Sequence, residues 1–369
     1  MRTDGQRPLE LSRRKRILFS LFTCAFAIVV ILVLAEAFTR LKGFAPLRPV
    51  SLIISMEPKG NYFIPHPTRG FAHPAGEFKL TVPGPYTFKM THADNGLRIT
   101  HPLAQETQGN KKEIWIFGCS LTHGWRLNDE ETYPWLLQRD LPAYEVVNFG
   151  VDGYGTVQSL IQLQESLKSG NKPAIVVLAY GDFHDGRNVL ARGWKKQVFM
   201  NNRLGALNYP DATLGSDNKL VFRNDPLTYW DFALVRYSAL ANYLDSQYND
   251  SIGASYRGHD VSKAVVNEFW KLCEANGIAF VLAGIYSSPT TAEMLKFFSD
   301  KGAMTVDISV DLSIRENTSL PWDGHPNALA NKQYAQKIES FLRAKLIDRP
   351  GPPAAGAPPN SAPGQRKVQ

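Results

Sequence analysis

The chain has 369 residues, enough for one large domain or two small ones, and its 44% of hydrophobic residues can form a substantial core. Its net charge is +7, but residues 1–16 carry +4 and residues 349–369 carry +3, so the chain between them is neutral. The basic ends are therefore no evidence for nucleic acid as a partner, and no nucleic-acid-binding motif is visible. Three cysteines are too few for a disulfide framework, and the scatter of the cysteines and eight histidines argues against a zinc site.

The N-terminal basic segment, residues 1–16, is followed by 19 uncharged residues, 17–35. As a helix this run is about 28 Å long, roughly the thickness of a bilayer core. We predict a transmembrane helix at 17–38, with the N-terminus in the cytoplasm and the rest of the chain outside it. A signal peptide cleaved near 35–37 is the alternative. A lipoprotein site at Cys24 is disfavoured because the two preceding residues are not small.

Residues 44–112 contain no clear helical pattern. Polar and apolar residues alternate at 77–82 and again at 86–90, and a Pro-Gly-Pro turn at 83–85 separates the two stretches. This pattern predicts a β-hairpin. We interpret the whole segment as a small β-rich extension packed on the main domain, which either binds something or serves as a packing and spacer element.

A regular alternation of strands and helices begins at residue 113. We predict strands at 113–118, 145–149, 174–180, 278–283 and 304–308, and helices near 131–140, 156–168, 261–275, 290–301 and 327–345. Strands separated by helices of this length indicate a parallel sheet covered on both faces.

Two segments depart from this alternation. Residues 190–260 form an aromatic-rich insertion with a predicted amphipathic helix near 226–246, whose aromatic side chains either line a substrate groove or are simply buried. Residues 349–369 are rich in Pro, Ala and Gly and contain no aromatic residue, so we predict a disordered tail.

The run of β-formers at 114–117 ends at Gly118, and Ser120 follows two residues later. This pattern predicts a buried strand that delivers a hydroxyl group to the carboxyl edge of the sheet, where α/β sheets place their sites. A serine is a poor nucleophile without an adjacent base. His325 can be that base, and Asp323, two residues before it, can orient the imidazole.

These segments resemble the blocks of the SGNH/GDSL hydrolase superfamily. Gly-Cys-Ser-Leu at 118–121 corresponds to Gly-Asp-Ser-Leu, residues 148–156 match the second block, and Asp323 and His325 precede the last helix as in the family. The resemblance covers roughly residues 112–347. It implies a flavodoxin-like three-layer α/β/α sandwich with a central parallel sheet, to which this chain adds the transmembrane helix and the β-rich extension.

The resemblance also implies site residues. Ser120 would be the nucleophile, His325 the general base and Asp323 its orienting partner, while Asp323 as a helix cap and Cys119 as nucleophile are the less favoured readings. The backbone N–H groups of Ser120 and Gly153 would form part of the oxyanion hole.

The third family block departs from the pattern. The family carries Gly-x-Asn-Asp, whose asparagine donates to the oxyanion, but here Phe183 stands at that position and His184 follows it. We expect the missing donor to be His184 or, if the loop folds back, Asn188. Arg187 either holds a carboxylate of the substrate or pairs with a neighbouring aspartate.

The expected reaction is ester hydrolysis or acyl transfer through an acyl-enzyme, without metal or organic cofactor. Membrane anchoring and the resemblance together suggest an inner-membrane protein with its catalytic domain in the periplasm or outside, acting on an O-acylated envelope polysaccharide or another extracytoplasmic ester. The alternative is a catalytically weak carbohydrate-binding or assembly factor of the envelope, which the altered third block favours.

Overall fold

A computed structural model describes residues 12–48, 53–103 and 111–348. Strands and helices are numbered in chain order. At the centre lies a five-stranded parallel sheet, whose strands are, in spatial order, β12 (Met304–Val310), β11 (Ala279–Tyr286), β8 (Ile175–Tyr180), β6 (Lys112–Phe117) and β7 (Tyr144–Asn148). The first central strand in the chain thus pairs with both the second and the third, which is the doubly wound order of flavodoxin. The predicted fold class is confirmed.

Helices cover both faces of this sheet because successive side chains of a strand point to opposite sides. Ile114 and Ile116 face the layer formed by α3 (Tyr133–Asp140) and α10 (Ala328–Leu342). Trp115 and Phe117 face the opposite layer. That layer consists of α4 (Thr156–Lys168), α8 (Gly258–Ala275) and α9 (Pro289–Asp300). Both cores are buried, and the inner strands β6, β8 and β11 read as nearly continuous apolar runs. The edge strands β7 and β12 also carry polar residues.

The remaining elements lie before, between and after these layers. The helices are α1 (Arg13–Leu41), α2 (Ser120–His123), α5 (Phe183–Asn188), α6 (Arg192–Asn201) and α7 (Ala239–Gly253). The outer strands are β1 (Ser55–Glu57), β2 (Ile64–His66), β3 (Gly70–Ala72), β4 (Gly76–Val82), β5 (Tyr86–His92), β9 (Asn208–Leu214), β10 (Leu220–Pro226), β13 (Thr318–Ser319) and β14 (Asp323–Pro326).

Helix α1 has the length and composition of a membrane span, and it is the one such helix in the described ranges. It begins directly after Ser12, whose hydroxyl accepts from the N–H of Lys15, and its apolar side chains from Ile17 to Leu34 are exposed. The predicted span at 17–38 falls within it. Most of the predicted basic segment and the predicted tail, 349–369, lie outside the described residues.

The predicted hairpin of the β-rich extension is confirmed. Strands β4 and β5 pair antiparallel, with Phe78 opposite Met90, and β1 adds a third strand. An isolated bridge between Arg98 and Asn148 joins the extension to the edge of the central sheet at β7. The extension is therefore packed against the main domain.

The helix predicted at 226–246 is wrong in its position. The insertion instead contains the hairpin β9–β10 and an irregular stretch, and α7 begins only at Ala239. The physical reason is tertiary, because the guanidinium of Arg192 lies 4.8 Å from the centroid of Trp230 and 5.2 Å from that of Phe232, which holds this stretch in a non-helical path. Ser238 then caps α7 by accepting from the N–H of Ala241.

Gly150 permits the close approach of the loop after β7 to helix α2. A Cβ at this position would lie 2.4 Å from the backbone nitrogen of His123. We therefore expect Gly150→Ala to lower the free energy of unfolding by about 1–3 kcal/mol, as overpacking against backbone does. Thermal unfolding in detergent measures this. Gly253→Ala is the matched control, because no atom lies within 4 Å of its added Cβ; equal losses in both variants would contradict the close-approach argument.

Candidate active site

Strand β6 delivers Ser120 to the carboxyl edge of the central sheet. The strand ends at Phe117, and Ser120 is the first residue of the short helix α2. Gly118 makes this tight turn possible, because a Cβ there would lie 2.2 Å from the hydroxyl oxygen of Thr122. Ser120 is only 6% exposed, so it is recessed at the carboxyl edge of the sheet rather than lying on an open surface.

The C-terminal segment brings an imidazole and a carboxylate to this hydroxyl. Oγ of Ser120 lies 2.9 Å from Nε2 of His325, and Nδ1 of His325 lies 2.5 Å from Oδ1 of Asp323. The other oxygen of Asp323 accepts from the indole N–H of Trp125 at 2.9 Å. Asp323 does not cap α10, because Asn327 is its N-cap residue. The structure thus brings together the three residues that the sequence singled out.

The electrostatics of this group fix the direction of proton movement. Burial acts to raise the pKa of Asp323, but hydrogen bonds from His325 and Trp125 outweigh it and lower the pKa to about 2. The carboxylate is therefore charged at neutral pH and accepts the Nδ1 proton of His325, which leaves Nε2 as the acceptor for the hydroxyl proton. An activated serine of this kind is suited to nucleophilic attack on an acyl carbon.

Cys119 does not share this position. Its side chain is fully buried in the core between the sheet and the α3–α10 layer. It is the N-cap residue of α2 and makes no side-chain capping bond. A small buried thiol in an apolar core is a packing residue, so the reading of Cys119 as nucleophile loses its basis.

Two backbone N–H groups are candidates for the oxyanion hole. Within the described ranges, neither the N–H of Ser120 nor that of Gly153 donates to another residue. The N–H of Val151 donates to the carbonyl oxygen of Gly118 at 3.2 Å, which ties the loop of Gly153 to the turn before α2. Gly153 adopts φ +81°, a conformation that favours glycine.

The third-block residues lie on α5, which packs on the start of α4. His184 is fully buried, and its Nδ1 lies 3.3 Å from the hydroxyl oxygen of Thr156. Burial, and then the charge of Arg187, holds the pKa of His184 well below its usual value, so the ring is neutral with one N–H. Among the described residues, Nε2 of His184 has no partner.

Asn188 and Arg187 are engaged elsewhere. The amide oxygen of Asn188 accepts from the N–H of Val157, and its NH₂ donates to the hydroxyl of Ser262 at 2.8 Å. Arg187 donates to the carbonyl oxygen of Tyr154 at 2.9 Å. No ion pair joins Arg187 to an aspartate within the residues that the structure describes, so the expected alternative of a salt bridge is not realised.

Arg98 is a site-supporting residue that the sequence did not reveal. Its buried guanidinium donates to the carbonyl oxygens of His123, Gly124 and Leu127, and its Nε donates to Asp129 at 3.1 Å. These bonds hold the segment directly after α2, and hence the nucleophile helix itself. Nothing local in the sequence marks Arg98, because its partners are carbonyl groups rather than a side-chain pattern.

A buried histidine cluster includes the last residue of α2, although the eight histidines are scattered along the sequence. His123 Nε2 lies 2.9 Å from His92 Nε2, and His123 Nδ1 lies 3.0 Å from an oxygen of Asp152. His73 stacks on His123 with ring centroids 4.2 Å apart and planes 12° apart. His73, His92 and His123 each offer a ring nitrogen that could bind a metal ion, and these atoms lie within 4.8 Å of one another.

The stacking decides how this cluster is interpreted. A metal ion lies close to the ring plane of each imidazole that binds it. The rings of His73 and His123 are stacked and nearly parallel, so no single position lies close to both ring planes. We therefore interpret His73 and His123 as packing residues. Burial, and then the neighbouring imidazoles, lowers the pKa of His73 far below its usual value, and burial does the same for His92 and His123. All three rings are neutral at pH 7.

The lowered pKa values predict acid sensitivity. The unfolded chain binds more protons than the folded one below pH 6.5, so stability present above that pH is lost as the pH falls. Each of these buried histidines should lower the free energy of unfolding by about 1 kcal/mol between pH 6.5 and 5.5. We expect His73→Phe, which keeps the stack, to reduce this pH dependence by about that amount in chemical unfolding.

The control for this prediction is Phe71→Leu. Phe71 packs next to the cluster through Phe63 but carries no titratable group. Its replacement should lower stability at every pH and keep the wild-type pH dependence. If the free energy of unfolding of His73→Phe depends on pH as steeply as that of the wild type, the interpretation of His73 as a neutral buried histidine is wrong.

No protein-family model and no curated protein matches the chain. Among solved structures it is similar to TesA, at 15% identity and a TM-score of 0.39, over 63% of this chain and 99% of that one. A putative lipolytic protein of the G-D-S-L family from Desulfitobacterium hafniense is similar at 15% identity and a TM-score of 0.35, over 63% and 100% of the chains. The esterase EstA from Pseudoalteromonas, inhibited by monoethylphosphonate, is similar at 16% identity and a TM-score of 0.37, over 63% and 98%.

Proposed function

We propose that this chain is a serine ester hydrolase or O-acyltransferase of the SGNH type. The observation that carries the proposal is the continuous hydrogen-bonded series from the hydroxyl of Ser120 through the ring of His325 to Asp323, with distances of 2.9 and 2.5 Å. Such a series activates a serine for acyl transfer wherever it occurs, irrespective of fold.

The reaction follows from the roles of these groups. Oγ of Ser120 attacks the acyl carbon of the ester while Nε2 of His325 takes its proton, and the charge of Asp323 stabilises the imidazolium that forms. The N–H groups of Ser120 and Gly153 donate to the oxygen that becomes negative. His325 then protonates the leaving alcohol. Water or a second hydroxyl group gives its proton to His325 as it attacks the acyl-enzyme, the bond between the acyl carbon and Oγ of Ser120 breaks, and His325 returns the proton to Oγ.

The proposed location is the cell inner membrane, crossed once by α1, with the catalytic domain in the periplasm or outside. The support is the order of charges, because Arg13, Arg14, Lys15 and Arg16 precede the uncharged run and favour the cytoplasmic side.

An O-acylated envelope polysaccharide is the substrate class that fits this location. Trp322, 61% exposed and next to Asp323, offers a flat aromatic face suited to a sugar ring.

A catalytically weak assembly or carbohydrate-binding factor is the second candidate. The observation that favours it is the third block, where Phe183 replaces the amide donor and packs against Tyr286 at 5.5 Å between ring centroids. The two candidates differ in turnover and not in fold.

The decisive experiment is labelling of the detergent-solubilised full chain with a fluorophosphonate serine probe, together with hydrolysis of a short-chain aryl ester. We expect wild type to react in both assays. Ser120→Ala should abolish labelling and lower ester turnover by more than about 10³-fold, because triad residues act as a unit. Cys119→Ser is the control and should remain active. A wild type that neither turns over esters nor takes up the probe would favour the assembly factor.

We propose His184 as the third oxyanion donor. When the hydroxyl of Thr156 donates to Nδ1, the proton of the neutral ring lies on Nε2, which no described residue accepts. His184→Ala should then lower kcat by about 10²–10³-fold. KM should change little, because the donor acts on the transition state rather than the bound ester.

His184→Asn serves as the rescue variant, since its amide also donates, and it should recover part of kcat. Thermal unfolding of both variants separates a lost donor from a collapsed core. If kcat of His184→Ala stays at the wild-type value in a folded protein, His184 takes no part in the reaction.

A further inference from the structure

The irregular stretch of the insertion before α7 exposes large apolar side chains. Trp230 is 64% exposed, Leu234 is 64% exposed and Tyr237 is 78% exposed. We refer to residues 230–237 as the contact loop. All three lie within eight residues of the chain, and exposed apolar side chains that form one patch mark interaction surfaces.

The contact loop is fixed to the end of α1. The carboxylate of Glu36 accepts from the hydroxyl of Ser238 at 2.7 Å and from the N–H groups of Ala239 and Leu240 at 3.0 and 2.9 Å. Four residues further along α1, Arg40 donates to the carbonyl oxygen of Tyr237 at 3.3 Å. The loop therefore lies beside the last two turns of the apolar helix.

The segment that leaves α1 is fixed to the same region. The N–H of Leu47 donates to the carbonyl oxygen of Val235 at 2.8 Å, and the side chain of Asn242 donates to the carbonyl oxygen of Ala45 at 2.9 Å. The ring of Phe44 packs edge-on against Tyr243, with centroids 4.8 Å apart. The insertion is thus bonded both to the last turns of α1 and to the segment that follows α1. The position of the contact loop is therefore fixed relative to α1.

The length of α1 sets the depth of the loop. From Ile17 to Glu36 the helix rises about 28 Å, which equals one hydrocarbon core. If α1 spans the bilayer, Glu36 lies at its outer boundary, and the groups bonded to Glu36 lie in the headgroup region. Trp and Tyr are the side chains that prefer this region, and nearby Lys42 suits anionic headgroups.

We infer that the contact loop inserts into the outer interface of the bilayer that α1 spans, as a second membrane attachment of the catalytic domain. The inference rests on the membrane topology given under the proposed function. With two attachments the domain is held in one orientation on the lipid surface instead of moving on a free tether, and the height of Ser120 above the membrane is fixed.

The test uses the full chain in vesicles of phosphatidylethanolamine and phosphatidylglycerol that contain lipids with a nitroxide quencher placed near the headgroup or deep in the acyl chain. Native Cys24, exposed in the middle of α1, is labelled with a small fluorophore as the reference for the span. In a Cys24→Ser background, Leu234→Cys and Tyr237→Cys carry the same label. Leu329→Cys, 51% exposed on α10, is the matched control.

We expect the labels at positions 234 and 237 to be quenched by the shallow lipid at least as strongly as the Cys24 label is by the deep lipid. The label at position 329 should lose no fluorescence with either lipid. Unchanged thermal unfolding of each variant shows that the labelled chains are folded. Two loop positions are used so that the test still stands if one of the two variants does not fold.

Two outcomes overturn the inference in different ways. If the Cys24 label is quenched but the loop labels behave like the label at position 329, α1 spans the bilayer and the contact loop does not touch it. If the Cys24 label itself is not quenched, the proposed topology fails and the inference falls with it. Neither outcome affects ester turnover, which tests the proposed reaction separately.

Discussion

The hydrogen bond between Ser120 and His325 joins residues 205 positions apart, and the site exists only because two distant segments meet within 2.9 Å. Strand β6 holds one partner from inside the sheet. The other precedes α10, whose Asn331 side chain accepts from the N–H of Tyr133 on α3 at 3.1 Å in a buried environment. Catalytic geometries tolerate errors of only about 0.5 Å, so the register of α10 against α3 is as important as the identity of the triad.

The β-rich extension serves this same alignment. Arg98, which follows its hairpin, binds the carbonyl groups after α2 from within the core. At the hairpin turn, a Cβ on Gly84 would lie 2.6 Å from the indole of Trp322, and Arg126 donates to the carbonyl oxygen of Pro83. The extension therefore contacts both the nucleophile segment and the segment of Asp323. By packing, it shapes one wall of the candidate site.

Local sequence patterns predicted those parts of the chain whose structure has a local cause. The strands and helices of the central domain follow from hydrophobic periodicity, and α4 has the predicted bounds, 156–168. The helix expected at 226–246 was misplaced because the contacts of Arg192 and Glu36 with the insertion override local propensity. The gathering of His73, His92 and His123 was invisible for a similar reason, since three separate elements bring them together.

The helical turn after β8 directs two neighbouring side chains to different partners. Phe183 begins α5, shortly after β8 ends at Tyr180. Successive residues on a helix point about 100° apart. The helical turn thus packs Phe183 against Tyr286 and turns His184 to the start of α4, beside Thr156.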